Sequence, residues 1–557
     1  MRRSQLVNPD LTFLSRRLFA GLALTAGLAL FACQPGAVEE ESREASVELP
    51  PEGTPRLVLL LVVDQFSADD LERIAPLFTG GFRTLLDRGV IFTQAHHAHA
   101  LTETAPGHAT LATGSFPRHH GIVSNRWIEE GHLVSRYAID DDLYDESPRE
   151  LERRTLGDWI KASYPESKVF SASGKDRAAI LMGGMEADGA FWYDEEIGGY
   201  ETSEYYVEPE WLDSFNDQRI LDARFGQMWK PLPLTDEAIE DLQLQKLGFG
   251  PLLNELPMSI GRPRPTPDDS FYSAARDSPW WDEYLAQFAR HLVEAEDLGM
   301  DNSPDLLALS FSTPDYVGHD HGPHSREYVD VLLRLDRTVG ELLDFIDERV
   351  GLENTILGWS ADHGVVPVPE VRHDQGLAGR RVTSETVLCL QRVGGQLADR
   401  HGVESWLITG PRLAPGLVEA TGRARPDLEE ETAQLLEQCP AVEAVWTGSE
   451  LLQDIDDSDS ARWLYANSYY PERSPDFLIQ FEEYFMPTVG YVTTHGSPYA
   501  YDTHVPFVVL APGLKPETLD VPARTVDLAP TLANLLGIPI PEEVDGRPLV
   551  EAATPSP

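Results

Sequence analysis

The sequence predicts an α/β protein: a doubly wound, mostly parallel central sheet with helices on both faces and inserted cap segments. Two observations carry that expectation. Continuous apolar runs of strand length recur along the chain, separated by helical patterns, and runs without polar alternation read as strands buried on both faces. Acidic residues, Asp64, Asp315 and Asp362, follow three of these runs within a few positions. Sheets of this kind collect ligand-binding groups beyond the carboxyl ends of their strands, so the three carboxylates can converge on one edge.

In chain order, residues 1–32 read as an export signal rather than as part of the fold. Ser15-Arg16-Arg17-Leu18-Phe19 precedes an apolar run from Ala20 to Ala32 that is too short to be a comfortable permanent span. The paired arginines look like a twin-arginine signal, which predicts a periplasmic or extracellular location. Leu30-Phe31-Ala32-Cys33 resembles a lipoprotein processing site, though Phe31 is bulkier than that pattern usually carries. Acylation of Cys33 would tether the chain to a membrane. Residues 33–55, acidic and Pro-rich, read as a flexible tether. The body spans 56–557. Arg56–Val63 is the first strand, followed by a helical stretch over about Asp69–Arg88. Further strands are expected at Lys168–Ala172, Leu306–Phe311, Thr355–Trp359 and Phe507–Leu510, with helices over Glu327–Arg349 and about Asp527–Leu536. Insertions at about 194–278 and at about 383–474, both of which would cover the functional edge of the sheet, complete the outline.

The chain of 557 residues is 42% hydrophobic, enough for a sizeable core. Its formal net charge of −48 argues against nucleic acid and anionic membrane surfaces as partners. Most of that charge reads as a solvated acidic surface. A negatively charged substrate would need a locally positive pocket.

Six residues have the chemistry of metal ligands and the placement to share a site: Asp64, Asp315, His319, Asp362, His363 and His495. Mixed His/Asp ligation suits zinc better than magnesium, which prefers oxygen shells. Two such ions can clamp the attacking and leaving oxygens of an in-line displacement, which makes hydrolysis of a phosphate ester the leading expectation. Thr104 precedes Pro106, a residue suited to the first turn of a helix. A hydroxyl there faces the positive end of the helix dipole, which favours an alkoxide and the phosphate it attacks. An isolated Thr at such a place is ordinarily only an N-cap. The surrounding ligand set reverses that reading.

Val62-Val63-Asp64-Gln65, Thr104-Ala-Pro-Gly-His108, Asp315-x-x-x-His319, Ala361-Asp362-His363-Gly364 and Thr494-His495-Gly496-Ser497 together resemble the alkaline phosphatase superfamily. Within it the chain resembles the phosphate-irrepressible phosphatases that use a threonine nucleophile, from about Leu57 to Leu549. The resemblance implies two zinc ions per chain. One would take Asp315, His319 and His495; the other Asp64, Asp362 and His363, with Thr104 bridging to the phosphoryl group. It also implies anion donors at Asn125, Lys175 and Arg177. The superfamily's diesterases generally lack the Lys-x-Arg pair, so small-molecule phosphate monoesters are the expected substrates and a monomer the expected unit. On an extended segment Lys175 and Arg177, two apart, would share one face. A phosphodiesterase and a catalytically silent surface lipoprotein on the same scaffold are the competing readings. A sulfatase is a poor third, because Cys33-Gln-Pro-Gly-Ala37 lacks the arginine of that signature.

Several features carry no function at this level. His96, His97 and His99 sit on a strand-like segment that would split His96 and His97 between faces, and read as packing or surface residues. His119, His120, His321 and His324 are ambiguous, and Asp320 or His321 could substitute as a neighbouring ligand. Cys389 and Cys439 could pair within one insertion or remain two buried thiols.

Overall fold

The computed structural model describes residues 53–550 apart from 130–133, 245–255, 262–263, 409 and 456–459. The expected export signal, Cys33 and all but the last three residues of the tether lie outside the described residues. Among the described residues, no helix is long and apolar enough to cross a membrane.

The centre is a nine-stranded sheet. Its strands are β1 (Leu57–Val63), β2 (Val90–His96), β3 (Val169–Ser173), β4 (Gly189–Asp194), β5 (Gly199–Glu201), β6 (Asp305–Phe311), β7 (Thr355–Ser360), β8 (Phe507–Leu510) and β9 (Glu517–Arg524). The spatial order is β9-β2-β8-β7-β1-β6-β3-β4-β5. β1 pairs in parallel with β6 and β7, placing Val63 beside Phe311 and Val62 beside Ser360. The strand ends that carry the acidic residues are therefore level.

All seven side chains of β1 are buried, and they alternate between two cores. Leu57, Leu59, Leu61 and Val63 join a cluster with Trp281, Phe288, Leu342 and Ile346; Val58, Leu60 and Val62 join one with Trp159, Leu528 and Leu532. Each such side chain removed from water contributes about 1.5–3 kcal/mol. The helices doing the covering include α1 (Thr104–Thr113), α2 (Leu156–Ser163), α3 (Asp176–Gly183), α4 (Trp280–Ala295), α5 (Thr313–His321), α6 (Arg326–Arg349) and α7 (Leu528–Leu536).

Three expectations need correction. The helix expected over Asp69–Arg88 is broken into Ala68–Ile74, a 3-10 turn at Ala75–Leu77 and Gly81–Arg88. Pro76 ends the first piece, and the second starts where the Asp336 carboxylate accepts hydrogen bonds from the N–H groups of Thr79, Gly80, Phe82 and Arg83. Gly80 and Gly81 are required there, since a Cβ on either would stand 2.3–2.6 Å from the backbone of α6. Second, Phe507–Leu510 is a strand but runs antiparallel to both neighbours. Its first residue, Phe507, therefore lies opposite Ser360 at the carboxyl end of β7. That reversal delivers the preceding loop, with His495, to the functional edge. Third, the segment 194–278 extends the main core rather than only covering the edge, as Trp211, Phe215, Trp229 and Phe271 pack into the same cluster as α4 and α6. Much of the segment 383–474 instead builds a separate cluster around Leu397, Trp406 and Leu428, which Phe477 joins from just beyond it. Cys389 and Cys439 are disulfide-bonded within it.

Candidate active site

Each predicted ligand stands just past a strand of the sheet or in the loop that β8 draws in. Asp64 follows β1, Asp362 and His363 follow β7, and Asp315 lies in the first turn of α5 after β6. His319 is one turn further along α5, so the i, i+4 spacing puts both donors on one face. Their contacts sort into two sets. His319 Nε2 is 3.2 Å and His495 Nε2 3.6 Å from Asp315 Oδ1. His363 Nε2 is 3.4 Å from Asp362 Oδ2 and 3.6 Å from Asp64 Oδ1. The rings of His363 and His495 stack at 3.5 Å and join the sets, so the donor atoms of Asp315, His363 and His495 also form a close triad.

All three histidines are held the same way. The Nδ1 of His319 bonds Thr493 O, that of His363 bonds Gly364 O, and that of His495 bonds Thr102 O. A carbonyl can only accept, so each ring carries a proton on Nδ1 and turns its Nε2 toward the carboxylates, the arrangement by which an outer partner fixes a metal ligand. Burial lowers the pKa of His363 and His495 well below the ordinary value, which keeps both neutral. Burial opposes protonation of His319 as well, but Asp315 outweighs it and raises that group. Asp362 is raised well above the carboxylate range by burial and then by Asp64. For Asp315 burial pushes upward, yet Lys175, His319 and His495 together hold the carboxyl well below its ordinary value.

The donor set fits divalent cations on an observation of its own. Asp64 Oδ1, Asp362 Oδ2 and His363 Nε2 are buried, converge within 4.8 Å of one another, and make no hydrogen bond. Buried, unpaired acceptors of this kind are costly unless a cation completes them.

Thr104 is buried at the first position of α1. Glu103, not Thr104, occupies the N-cap, so the hydroxyl is not consumed in capping. Arg177 Nη2 donates to Thr104 Oγ1 at 3.3 Å and Lys175 Nζ at 3.5 Å. The Lys175 ammonium also lies 2.6 Å from Asp64 Oδ2 and 2.6 Å from Asp315 Oδ2. Asn125 Oδ1 accepts from Ala105 N at 2.8 Å, which leaves its Nδ2 as the donating end. Lys175 and Arg177 do not share the face of an extended segment as expected: Lys175 is extended at the N-cap of α3, whereas Arg177 lies in the helix's first turn. The two converge because the chain changes direction between them.

Other expectations fall into place around this centre. His97 and His99 are buried packing residues, His97 bonding Ala361 O and Thr525 Oγ1. His321 is 4.0 Å from Glu327 and, like Asp320, is in neither ligand set. Three residues were missed. The Glu103 carboxylate accepts from Asn125 N and Ser124 Oγ at 2.7 and 2.8 Å, tying the Asn125 loop to the nucleophile helix. Its position one residue before Thr104 was the available signal. His108, neutral because burial takes its pKa to about 4, bonds Thr104 O and Ser310 Oγ, and i, i+4 spacing to Thr104 could have found it. Nothing local marked Tyr137, whose hydroxyl accepts from Arg177 Nη1.

A family model described as type I phosphodiesterase/nucleotide pyrophosphatase matches residues 58–498. The chain belongs to that family, within the alkaline phosphatase superfamily. Among relatives in the family, it is 30% identical over 522 residues to an alkaline phosphatase, PhoK, of Sphingomonas sp, covering 88% of this chain and 90% of the relative. It is also 30% identical over 526 residues to a Myroides odoratus protein named a calcium-transporting ATPase, covering 89% of this chain and 94% of that one. The crystal structure of the alkaline phosphatase PafA superposes with a TM-score of 0.80 at 26% identity, over 90% of this chain and 99% of that chain. A second solved structure of that phosphatase carries substitutions at a threonine, an asparagine, a lysine and an arginine. The protein is a hydrolase of this superfamily.

Proposed function

We propose that the protein is an exported alkaline phosphatase that holds two zinc ions and hydrolyses small-molecule phosphate monoesters through a phosphothreonine at Thr104, releasing inorganic phosphate. The observation that carries this is the convergence of Lys175 and Arg177 on Thr104 Oγ1, beside two carboxylate–imidazole sets. A monoester dianion has three non-bridging oxygens, so charged and amide donors around one hydroxyl match it better than an apolar wall would. In the second PafA structure the spacing from threonine to asparagine and from lysine to arginine equals that of Thr104 to Asn125 and Lys175 to Arg177 here.

Asp315, His319 and His495 would hold one ion, and Asp64, Asp362 and His363 the other. Bound there, zinc would acidify the threonine hydroxyl and neutralise charge on the attacking and leaving oxygens. The chain's own groups do the rest. Thr104 releases its hydroxyl proton to solvent, Oγ1 attacks phosphorus in line, the bond to the ester oxygen breaks, and that oxygen takes a proton from water and leaves as the alcohol. Water then cleaves the phosphothreonine and restores the hydroxyl. Lys175 keeps positive charge beside the Thr104 oxygen as it loses its proton, while Arg177 and Asn125 Nδ2 donate to the non-bridging oxygens. The extreme negative charge of the chain makes this local positive cluster the feature that admits a dianion.

The sequence features of residues 1–55 support export by a twin-arginine signal and a tether through acylated Cys33. The test is steady-state hydrolysis of p-nitrophenyl phosphate against bis-p-nitrophenyl phosphate by zinc-loaded protein at alkaline pH. A monoester preference of several orders of magnitude is expected. A diester preference would overturn the monoesterase reading, and activity on neither would overturn the enzyme itself.

A further inference from the structure

The arginine at the centre of the anion pocket does not hold itself. Arg177 is partly buried among charged and aromatic groups, and its Nη2 reaches Thr104 Oγ1 while its Nη1 donates to the Tyr137 hydroxyl at 3.0 Å. That hydroxyl donates in turn to Asp176 Oδ1 at 2.6 Å, a short bond to a carboxylate. The same Asp176 Oδ1 accepts from the Arg177 backbone N–H at 2.6 Å. Guanidinium, phenol and carboxylate thus close a ring of contacts in which the Tyr137 hydroxyl has one acceptor and one donor partner and no remaining freedom to rotate.

Tyr137 is itself fixed from another side. It pairs with Arg126 across a short antiparallel ribbon (Arg126–Trp127 with Arg136–Tyr137), and the Arg126 guanidinium lies 4.5 Å from its ring centroid. The next residue, Ala138, donates its N–H to Asn125 O at 3.0 Å. The ribbon therefore carries Asn125 on one strand and the partner of Arg177 on the other. Two of the three anion donors are registered against each other through Tyr137, at a distance in sequence of 40 residues for the contact with Arg177.

We propose that Tyr137, locked by Asp176, is a positioning residue that sets the fork of Arg177 against the phosphoryl group and couples it to Asn125. The inference rests on the phosphatase reading above and deepens it, by naming what gives the pocket its preference for a dianion over a diester. A guanidinium without a partner on Nη1 keeps its charge but loses the fixed direction of its other arm, and the geometry of a bidentate donor is what separates arginine from a point charge. Preorganised donors also avoid reorganisation during reaction, so misdirection is expected to appear in turnover as well as in binding.

The experiment compares Tyr137→Phe, Arg177→Ala and the double variant with p-nitrophenyl phosphate and bis-p-nitrophenyl phosphate, together with inhibition of diester hydrolysis by inorganic phosphate. Tyr137→Phe keeps the ring and its packing. It is expected to lower kcat/KM for the monoester about tenfold, to leave the diester nearly unchanged, and to weaken phosphate inhibition by a similar factor. In the Arg177→Ala background it is expected to add nothing, because the group it positions is gone. Asp176→Asn should reproduce the loss from the other side of the ring, which guards against one variant misfolding. Equal losses on both esters, or losses that multiply fully with Arg177→Ala, would overturn the positioning role. Equal effects of Arg177→Ala itself on both esters would instead count against the phosphatase reading and leave the Tyr137 contact to be judged by the non-additivity alone, with additive losses overturning it.

Discussion

The two halves of the site are held by different kinds of structure. On the ligand side, carboxylates stand at level strand ends and each imidazole is oriented by a backbone carbonyl. On the anion side, Lys175, Arg177 and Asn125 are oriented by other side chains or by a single backbone amide. Backbone held by a sheet core cannot move without loss of packing on both faces. Side-chain networks can be rearranged by single substitutions. On the function proposed above, the ligand half would set whether chemistry occurs, and the anion half which ester is taken.

Metal removal should give the largest effect. Chelation is expected to abolish turnover of monoester and diester alike, with recovery on adding zinc, and to lower Tm, since Asp64 Oδ1, Asp362 Oδ2 and His363 Nε2 would be left buried without partners. Persistent activity after metal analysis confirms depletion would break the comparison. Next comes Thr104→Ala, where a loss of about 10³-fold or more on both esters is expected. Metal content by elemental analysis should stay the same, because the six ligands are untouched. Lys175→Ala and Arg177→Ala should each cost the monoester about 10²–10³-fold and the diester far less, within the range seen for loss of one preorganised donor. If the diester falls equally, the division of labour is wrong.

The smallest effect sharpens the ligand half. Asp282 Oδ1 accepts from the N–H groups of Ser312 and Thr313 at 3.1 and 3.3 Å, at the start of the helix that presents Asp315 and His319. Burial pushes its pKa up to about 7 against hydrogen bonds that lower it. A carboxyl raised on folding binds more protons in the native than in the unfolded state between its two pKa values. Its contribution to stability is therefore present at low pH and declines as pH rises from about 4 to about 7. The Tm of Asp282→Asn, measured from pH 4 to 8, should gain on that of the parent across this window. A constant difference would remove the assignment.

Much of the ligand half was legible because its signals are local. A run such as Leu57–Val63 can only be a strand buried on both faces, and an acid directly after it must stand at the strand's end. Asp362, with His363 beside it, and Asp315 were readable for the same reason, and His319 only as part of the Asp315-x-x-x-His319 motif. His495 was legible only as a motif. Its delivery to the edge depends on β8 running antiparallel, and four apolar residues carry no information on strand direction. Lys175 and Arg177 were picked out through the family resemblance, yet the expected shared strand face was wrong, because the helix begins between them. The helix break near Gly80 depended on Asp336, which lies far away in sequence.

The sequence by itself determined the class of fold and the core-facing runs, since these follow from periodicity, and through its motifs it named the residues proposed to hold cations and attack phosphorus. The tertiary structure decided the rest: which donors face one another, which nitrogen of each imidazole turns toward the carboxylates, that Cys389 pairs with Cys439, and that Tyr137 stands behind Arg177. Those outcomes are set by contacts between residues tens to hundreds of positions apart. Such contacts form only when the sheet order and the direction of β8 have fixed where each segment lies.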